Sequence, residues 1–288
     1  MIYVSLTVDV DAIAGWIGSY GGENSLCDLS RGEFAGKIGV KRLLELFRET
    51  KIKATWFIPG HSIETFKNEI IEVVNEEHEI GTHGYSHENP LKLNKEKEKK
   101  IFLRNIRLIK EISGKEPIGN RQPWWDLAPW TIENLEELGF IYDSSLMGDE
   151  FHPYYLRKGD NWYIIDYSKD PDYWMKPYEF GKPTKIIEFP VSWYLDDLPP
   201  QLFMKHPYYN YGWTNPDIVY GVLFREHFDY LYEVEKRGLL TLTVHPDVSG
   251  RVQGLKRLKE LLVYIKSKPG VKMVTLEEAV ELFKDGEI

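Results

Sequence analysis

The sequence predicts an α/β fold in which repeated strand–helix units form a barrel. Short apolar runs typical of strands alternate with segments whose apolar residues recur at helical spacing. The length of 288 residues is usual for a single barrel of this kind. Polar residues with catalytic potential follow several predicted strands, and active sites form at these strand ends in parallel barrels.

The first half of the chain contains five predicted strands and four predicted helices. The strands are predicted at Ile2–Val8, Lys53–Phe57, Glu79–Thr82, Ile118–Arg121 and Phe140–Tyr142. The helices are predicted at Val40–Thr50, Ser62–Glu77, Asn94–Ser113 and Pro129–Leu138. Ser62 can cap its helix, while Gly114 and Gly139 end the last two. Because strand and helix alternate, we expect a parallel sheet with right-handed crossovers.

The second half repeats the pattern after an irregular stretch. Strands are predicted at Lys185–Phe189, Leu239–Val244 and Val271–Val274. Helices are predicted at Pro216–Arg237, Leu255–Ser267 and Leu276–Phe283. The uninterrupted apolar run of Leu239–Val244 is typical of a buried parallel strand. Seven or eight such units favour a closed barrel over an open sheet.

The whole chain, residues 1–288, is predicted to be one catalytic domain with an insertion at about 148–215. Aromatic residues make up 14% of the chain and, with many prolines, crowd the stretch from Phe151 to Trp213. Linkers are poor in such large rings. We therefore expect the insertion to shape a small-molecule pocket.

Composition excludes several classes of protein. A net charge of −9 argues against a nucleic-acid binder. The single cysteine, Cys27, rules out an intrachain disulfide and a cysteine-rich metal site. Charges interrupt the apolar runs well before the roughly 20 residues that a membrane span needs. The N-terminus lacks the charged start and cleavage site of a signal peptide, so a cytoplasmic protein is expected.

Asp11, His83 and His87 are the predicted metal ligands. Two imidazoles four residues apart would lie on one face of a helical turn, and a carboxylate from a strand end could complete the site. Zinc is the first expectation for this set, although cobalt, nickel, manganese and iron are alternatives. A network of ion pairs and hydrogen bonds without a metal is the competing interpretation.

Asp9 is the predicted general base. It lies two residues from Asp11 on a strand, so both side chains point the same way, and it could take a proton from a water that the metal activates. Asp9 could instead be a second ligand or a partner of a ligand histidine. Arg121 could orient Asp9 and keep it ionised, or form a purely structural ion pair.

Three further residues complete the predicted catalytic set. His245 follows an apolar strand and is the predicted general acid, because histidine titrates near neutrality; a buried structural histidine is the alternative. The backbone N–H of Trp124 could stabilise an oxyanion. Asp143 or Asp247 could tune His245.

Taken together, these residues resemble the polysaccharide deacetylase family, also called the NodB-homology family or family 4 carbohydrate esterases. The order of motifs matches: an aspartate pair, His-x-x-x-His, Arg-x-Pro, Asp-Ser-Ser and a strand ending in histidine. The resemblance implies a distorted (β/α) barrel of about seven parallel strands. It implies a base at Asp9, an acid at His245, and a metal triad at Asp11, His83 and His87. The Arg-x-Pro segment would orient the base and supply the oxyanion amide.

The sequence departs from the usual family pattern near the N-terminus. Asp9 and Asp11 are separated by Val10 where the family has adjacent aspartates, and the segment Gly15–Gly22 then delays the first helix. Trp124 stands where tyrosine is usual. These features resemble the branch of cyclic imide hydrolases, allantoinase-like proteins and a cytoplasmic-type peptidoglycan deacetylase. That resemblance implies a homo-oligomer, with a tetramer as one form.

The sequence thus predicts a metal-dependent hydrolase of non-peptide C–N bonds. A small amide, cyclic imide or ureide is the expected substrate, because the aromatic insertion and the glycine-rich first loop would close a long groove. N-deacetylation of peptidoglycan or another N-acetylated saccharide is the alternative. A non-catalytic carbohydrate-binding protein on the same scaffold belongs to a different class, since aromatic platforms can stack on sugars.

Overall fold

A computed structural model describes residues 1–22, 24–205 and 214–288, so residues 206–213 of the predicted insertion lie outside the described residues. The centre of the molecule is a curled nine-stranded sheet. Its strands are β1 (Ile2–Asp9), β2 (Thr55–Ile58), β3 (Glu79–Thr82), β4 (Gly119–Asn120), β5 (Tyr142–Asp143), β6 (Tyr154–Lys158), β7 (Lys182–Glu188), β8 (Gly238–Val244) and β9 (Val271–Met273).

The strand order is β6-β7-β5-β4-β3-β2-β1-β8, and every pair along it except β6–β7 is parallel. β9 runs parallel to Ile2–Val4 of β1, whereas β2 pairs with Thr7–Asp9. The predicted distorted α/β barrel with a mainly parallel sheet is confirmed. The antiparallel strand β6, inside the predicted insertion, was not foreseen.

The barrel is less complete than the strand count suggested. Between β7 and β8 the described residues form one isolated parallel bridge, in which Asp196 pairs with Thr243 of β8. Pro190 follows β7 closely, and a proline has no N–H to donate to a neighbouring strand. The expectation of a fully closed barrel was therefore wrong on this side.

The described residues also form twelve α-helical segments around the sheet. They are α1 (Ala12–Gly18), α2 (Leu26–Phe34), α3 (Val40–Thr50), α4 (Gly60–Thr65), α5 (Lys67–Asn75), α6 (Lys95–Ser113), α7 (Thr131–Leu138), α8 (Leu198–Gln201), α9 (Pro216–Ile218), α10 (Phe224–Tyr230), α11 (Val252–Lys266) and α12 (Leu276–Lys284). π-Helical turns at 35–39 and 219–223 join neighbouring helices, and another at 231–235 extends α10.

Three predicted helical features need correction. The single helix expected from Ser62 is two helices, α4 and α5, because Phe66 leaves the helical region (φ −118°, ψ 40°) while its ring is buried in the core. The first helix is not delayed, since α1 begins at Ala12. The long helical run from Pro216 ends before Lys236, which adopts a left-handed conformation with φ 61°.

Both faces of the central strand β1 are buried, as expected of a parallel strand covered by helices. Val4, Leu6 and Val8 join the larger apolar cluster, which includes residues of α3 and α11, while Tyr3 packs in a second cluster against α12. This packing fixes the carboxyl ends of the strands at one edge of the sheet. None of the helices in the described ranges has the length and apolar character needed to cross a membrane.

Candidate active site

The candidate site lies at the carboxyl ends of four parallel strands. Asp9 is the last residue of β1, His83 follows β3, Arg121 follows β4 and His245 follows β8. Because β1 pairs with β8 and parallel strands connect it to β3 and β4, these ends lie on one side of the barrel. All four side chains are buried. The structure therefore brings together residues that are more than 200 positions apart in the sequence.

Asp11, His83 and His87 form a compact buried triad. Asp11 Oδ1 lies 3.3 Å from His83 Nε2, and Asp11 Oδ2 lies 3.4 Å from His87 Nε2. One ligand atom from each residue can be chosen so that all three lie within 4.8 Å of one another. Asp11 Oδ1 and His83 Nε2 have no hydrogen-bond partner among the described residues. Two buried acceptor atoms facing each other in this way fit a bound cation, and two histidines with one carboxylate suit zinc or another divalent transition metal.

The two histidines are brought together by a loop, so the predicted helical turn is wrong. Gly84 and His87 have left-handed backbones with φ 63° and φ 55°. The loop is held against the start of α4, where the N–H groups of Gly60 and His61 donate to the carbonyls of Gly84 (3.1 Å) and Tyr85 (2.8 Å). The two histidines, four residues apart, are thus brought together by a tight turn and do not lie on one face of a helix.

The other ring nitrogen of each histidine is also engaged. His83 Nδ1 donates to the Arg121 carbonyl at 2.7 Å. His87 Nδ1 hydrogen-bonds Ser19 Oγ, and the Ser19 hydroxyl donates to the His87 carbonyl at 2.6 Å. Contacts of this kind fix the tautomer and leave Nε2 as the ligand atom. The role of Ser19 was not predicted from the sequence, although Ser19 lies in the unusual Gly15–Gly22 segment that closely follows Asp11.

Electrostatics favour an ionised Asp11 and a neutral His87, whereas Asp11 and Asp9 raise the pKa of His83 despite its burial. Burial alone would raise the pKa of Asp11, but His87, His83 and His245, which are protonated in the acidic range where Asp11 would titrate, hold it well below its usual range. Burial lowers the pKa of His87 to about 4, so its imidazole is neutral at physiological pH. The Tyr20 hydroxyl donates to Asp11 Oδ2. An ionised carboxylate beside a neutral imidazole can ligate a divalent metal without losing a proton.

Asp9 and Arg121 form a buried ion pair with Arg121 Nη1 2.8 Å from Asp9 Oδ1. The same guanidinium donates to Thr7 Oγ1 at 2.8 Å and, through Nε and Nη2, to the carbonyl and hydroxyl of Ser144 at 2.8 Å. It also lies 4.4 Å from the Phe57 ring centre. Arg121 therefore holds the Asp9 carboxylate in place and also ties three strands together, while its role in catalysis stays a prediction.

His245 is held by two carboxylates that sequence reasoning missed. Its Nδ1 lies 2.9 Å from Asp197 Oδ1 and 3.3 Å from Asp196 Oδ1, while Nε2 lies 3.6 Å from Asp11 Oδ2 and 3.9 Å from Asp9 Oδ2. Although burial opposes protonation, these carboxylates raise the pKa of His245 well above its ordinary value. The sequence feature that could have indicated them is the pair of adjacent aspartates a few residues after the strand predicted at Lys185–Phe189.

The two residues suggested to tune His245 differ in their surroundings. Asp143 accepts a hydrogen bond from Asn120 Nδ2 at 2.6 Å, and burial raises the pKa of both Asp143 and its neighbour Glu188. Asp143 does not line the cavity above the triad. The carboxyl oxygens of Asp247 have no hydrogen-bond partner in the described part of the chain, but the group interacts electrostatically with His245. The hydrogen-bond partner of His245 Nδ1 is Asp197.

A cavity of about 60 Å³ opens over the triad. Apolar and aromatic side chains form most of its wall, including Trp124, Trp125, Trp193, Leu198 and Met204. The rings of Trp125 and Trp193 stack with their centres 4.5 Å apart. Trp124 and Trp125 both have positive φ, at 66° and 54°. Consecutive left-handed tryptophans are costly, and such backbone strain concentrates at functional sites.

The sequence of this chain is similar to those of known proteins. The family model described as polysaccharide deacetylase matches residues 36–142. A Helicobacter pylori protein named peptidoglycan deacetylase is 45% identical over 282 residues, which cover 98% of this chain and 96% of that protein. The chain belongs to the polysaccharide deacetylase family. The family resemblance predicted from the motifs is thereby confirmed.

Solved structures share the fold of this family member. A Mycobacterium smegmatis protein provisionally described as a polysaccharide deacetylase superposes with a TM-score of 0.84 at 27% identity, covering 100% of this chain and 91% of that one. The allantoinase Puue superposes with a TM-score of 0.75 at 20% identity, covering 97% and 89%. At 20% identity, the similarity to the allantoinase establishes only that the two proteins share a fold.

Proposed function

We propose that this protein is a metal-dependent deacetylase that hydrolyses the amide of an N-acetylated saccharide. The observation that carries the proposal is the convergence of Asp9, His245 and the triad on one buried cavity. His245 Nε2 lies 3.9 Å from Asp9 Oδ2, so the proposed acid and the proposed base face the same small volume. The identity of 45% to a protein named peptidoglycan deacetylase supports the choice of substrate class.

Each residue has a distinct proposed role. Asp11, His83 and His87 would hold the divalent metal, which polarises the amide carbonyl and makes water more acidic when it is bound. Asp9, fixed by Arg121, takes a proton from the attacking water. His245, with Nδ1 held by Asp197, donates a proton from Nε2 to the departing nitrogen. The N–H of Trp124, on the strained cavity wall, is assigned to the oxyanion.

The enclosed cavity favours a second candidate, a small amide, cyclic imide or ureide. A space of about 60 Å³ is far below the several hundred Å³ of a typical ligand pocket, so only the reacting end of a large substrate fits inside. Trp193 and Leu198, both from the predicted insertion, form part of the wall. A compact ring could be enclosed here, whereas a saccharide chain would have to lie outside with its acetamido group inserted.

One assay distinguishes the candidates. The purified chain, loaded with zinc after removal of other metals, is offered N-acetylglucosamine oligomers and succinimide in parallel. The proposal predicts acetate release from the oligomers, its loss on chelation and its recovery when zinc is restored. Ring opening of succinimide without acetate release would instead establish the second candidate. Saccharide binding with bound metal and no turnover of either compound would indicate a carbohydrate-binding protein.

A further inference from the structure

A buried carboxylate anchors the loop that carries Trp124. Glu98 lies on α6 and is only 2% exposed. Its Oε1 accepts hydrogen bonds from Gln122 Nε2 at 3.0 Å and from Thr131 Oγ1 at 2.5 Å. Its Oε2 accepts a hydrogen bond from Asn134 Nδ2 at 2.7 Å. Both oxygens are therefore engaged, and all three donors are neutral side chains.

These hydrogen bonds offset the cost of burying the carboxylate. Burial raises the pKa of Glu98, and the hydrogen bonds from Thr131, Asn134 and Gln122 oppose that rise. Hydrogen bonds to an ionised acceptor are roughly twice as strong as those between neutral groups. Glu98 therefore holds its three donors firmly in place relative to α6.

Two of the three donors mark the ends of one loop. Gln122 directly precedes the short helical turn Pro123–Trp125, and Thr131 begins α7. The Thr131 hydroxyl that donates to Glu98 also accepts the Ala128 N–H at 2.9 Å, which ties the end of the loop to the same point. Residues 122–131 are thus closed at both ends on a single carboxylate.

The backbone between these two anchors is unfavourable. Trp124 and Trp125 have φ values of 66° and 54°, and such conformations persist only where the surrounding structure fixes them. The Trp125 N–H donates to the Gln122 carbonyl at 3.0 Å, and the Gln122 N–H donates to Ser145 Oγ at 2.9 Å. Gln122 therefore supports the turn through its backbone, while Glu98 holds its side chain. Loss of that side-chain contact would let the turn relax and would reorient the Trp124 N–H.

We propose that Glu98 is a positioning residue that holds the Trp124 N–H in the orientation required to bind the oxyanion. The inference rests on the proposed hydrolase function and deepens it by naming the group that supports its oxyanion donor. Among the described residues, Glu98 does not belong to the wall of the catalytic cavity, so it acts through Gln122 and Thr131. A donor that stabilises only the transition state affects kcat and leaves KM unchanged.

Glu98→Gln tests the proposal with little change in side-chain shape. All three partners donate to Glu98, so the amide NH₂ introduced by the substitution would face at least one of them donor to donor. Hydrolysis of N-acetylglucosamine oligomers by the full zinc-loaded chain should show a kcat about 100-fold lower, the scale expected for a small misplacement at the reacting centre. KM and zinc content should stay unchanged. Wild-type kcat in Glu98→Gln overturns the proposal.

Glu96→Gln is the matched control, because Glu96 is exposed on the same helix and the substitution removes the same charge. Its kcat should equal that of the wild type. A fall in kcat in Glu96→Gln as large as that in Glu98→Gln overturns the proposal, since the loss would then follow charge and not the anchored loop.

An exchange of the two partners separates positioning from general stability. Glu98→Gln combined with Gln122→Glu restores a hydrogen bond between these positions with donor and acceptor reversed, so it should recover most of the lost kcat. A double variant no more active than Glu98→Gln overturns the proposal. If Glu98→Gln does not fold, Gln122→Met decides, because it cuts the same contact. A lower kcat with unchanged KM is expected for it, and wild-type kcat overturns the proposal.

Tryptophan amide resonances test the loop independently of turnover. In protein carrying isotope-labelled tryptophan, Glu98→Gln should shift the backbone N–H signals of Trp124 and Trp125, while that of Trp56 in β2 stays in place. Unshifted Trp124 and Trp125 signals overturn the positioning role. Shifted signals without hydrolysis by the unsubstituted enzyme overturn the hydrolase proposal and still support Glu98 as the anchor of the loop.

Discussion

His245 Nδ1 lies 2.9 Å from Asp197 Oδ1, and the backbone N–H of His245 donates to the same oxygen at 2.9 Å. The other oxygen of Asp197 accepts hydrogen bonds from Tyr220, at 3.0 Å, and from Ser249. Hydrogen bonds therefore hold both carboxylate oxygens of Asp197. Asp197 in turn orients the His245 imidazole so that Nε2 faces Asp9 and Asp11. An irregular segment of the insertion thus completes a site that is otherwise built from strand ends.

Asp197→Asn should lower kcat by about 100-fold, because a misoriented His245 loses most of the advantage of general acid catalysis. The triad is untouched, so zinc content and KM should change little. Steady-state kinetics and metal analysis measure both quantities. Asp196→Asn is the comparison, since Asp196 lies farther from Nδ1 and should cost less. A loss in Asp196→Asn as large as that in Asp197→Asn would refute the assignment.

Ser19→Ala should weaken zinc binding by roughly 10- to 100-fold, the usual cost of removing a partner that orients a metal ligand. The hydroxyl of Ser19 contacts both Nδ1 and the carbonyl of His87. Competition with a chelating dye measures the affinity without any need for turnover. Ser25→Ala is the matched control, because Ser25 caps α2 nearby and its loss should affect stability only. Equal zinc affinity in Ser19→Ala and wild type would contradict this role.

Arg121→Met should reduce the free energy of unfolding by about 3–5 kcal/mol, because it leaves Asp9 as a buried carboxylate without its cation. Adding Asp9→Asn removes that stranded charge. The double variant should therefore be more stable than the sum of the single effects predicts. Urea unfolding of the four proteins in the cycle measures the coupling. If the effects of the two substitutions on the free energy of unfolding were strictly additive, the interaction between Arg121 and Asp9 would contribute nothing to stability.

Glu79→Gln should flatten the pH dependence of stability. Burial raises the pKa of Glu79 from its ordinary 4.5 to about 7, despite hydrogen bonds from Thr55, Tyr142 and the Glu277 N–H. The native state therefore holds a proton that the unfolded chain releases, and the free energy of unfolding falls as pH rises from about 4.5 to about 7. Urea midpoints at pH 5 and pH 8 should differ less in Glu79→Gln than in wild type.

The control for this pH effect is Glu281→Gln, which alters an exposed glutamate on α12. Its midpoints should keep the wild-type difference between pH 5 and pH 8. If Glu79→Gln also keeps that difference, another group is responsible for the effect.

The sequence was most informative where strand periodicity and chemistry coincide. Asp9, His83, Arg121 and His245 could be placed together because the carboxyl ends of parallel strands meet at one edge of the barrel. The same rule misassigned Asp143, which also follows a strand but is held by Asn120 and lies away from the cavity. The position of a residue at a strand end fixes where its Cα lies, but it does not determine which neighbouring residues its side chain contacts.

Residues outside regular elements could not be predicted in this way. Asp196 and Asp197 reach His245 through one isolated bridge to β8, which has no periodic signature. Ser19 contacts His87 because the end of α1 packs tightly on the histidine loop. A Cβ atom on Gly18 would lie only 1.8 Å from the Ser86 carbonyl oxygen. Such close approaches depend on tertiary packing, which local sequence patterns do not encode.

The most direct test of the catalytic assignment is metal content and turnover measured together in Asp9→Asn. We expect this variant to keep about one zinc ion per chain, because its three protein ligands are unchanged. Hydrolysis of the N-acetylated substrate should fall by at least about 100-fold, because the base is gone. His83→Ala, in contrast, should lose the metal. Hydrolysis at the wild-type rate in Asp9→Asn would contradict the assignment of Asp9 as the base. Loss of zinc from this variant would show that Asp9 is a metal ligand.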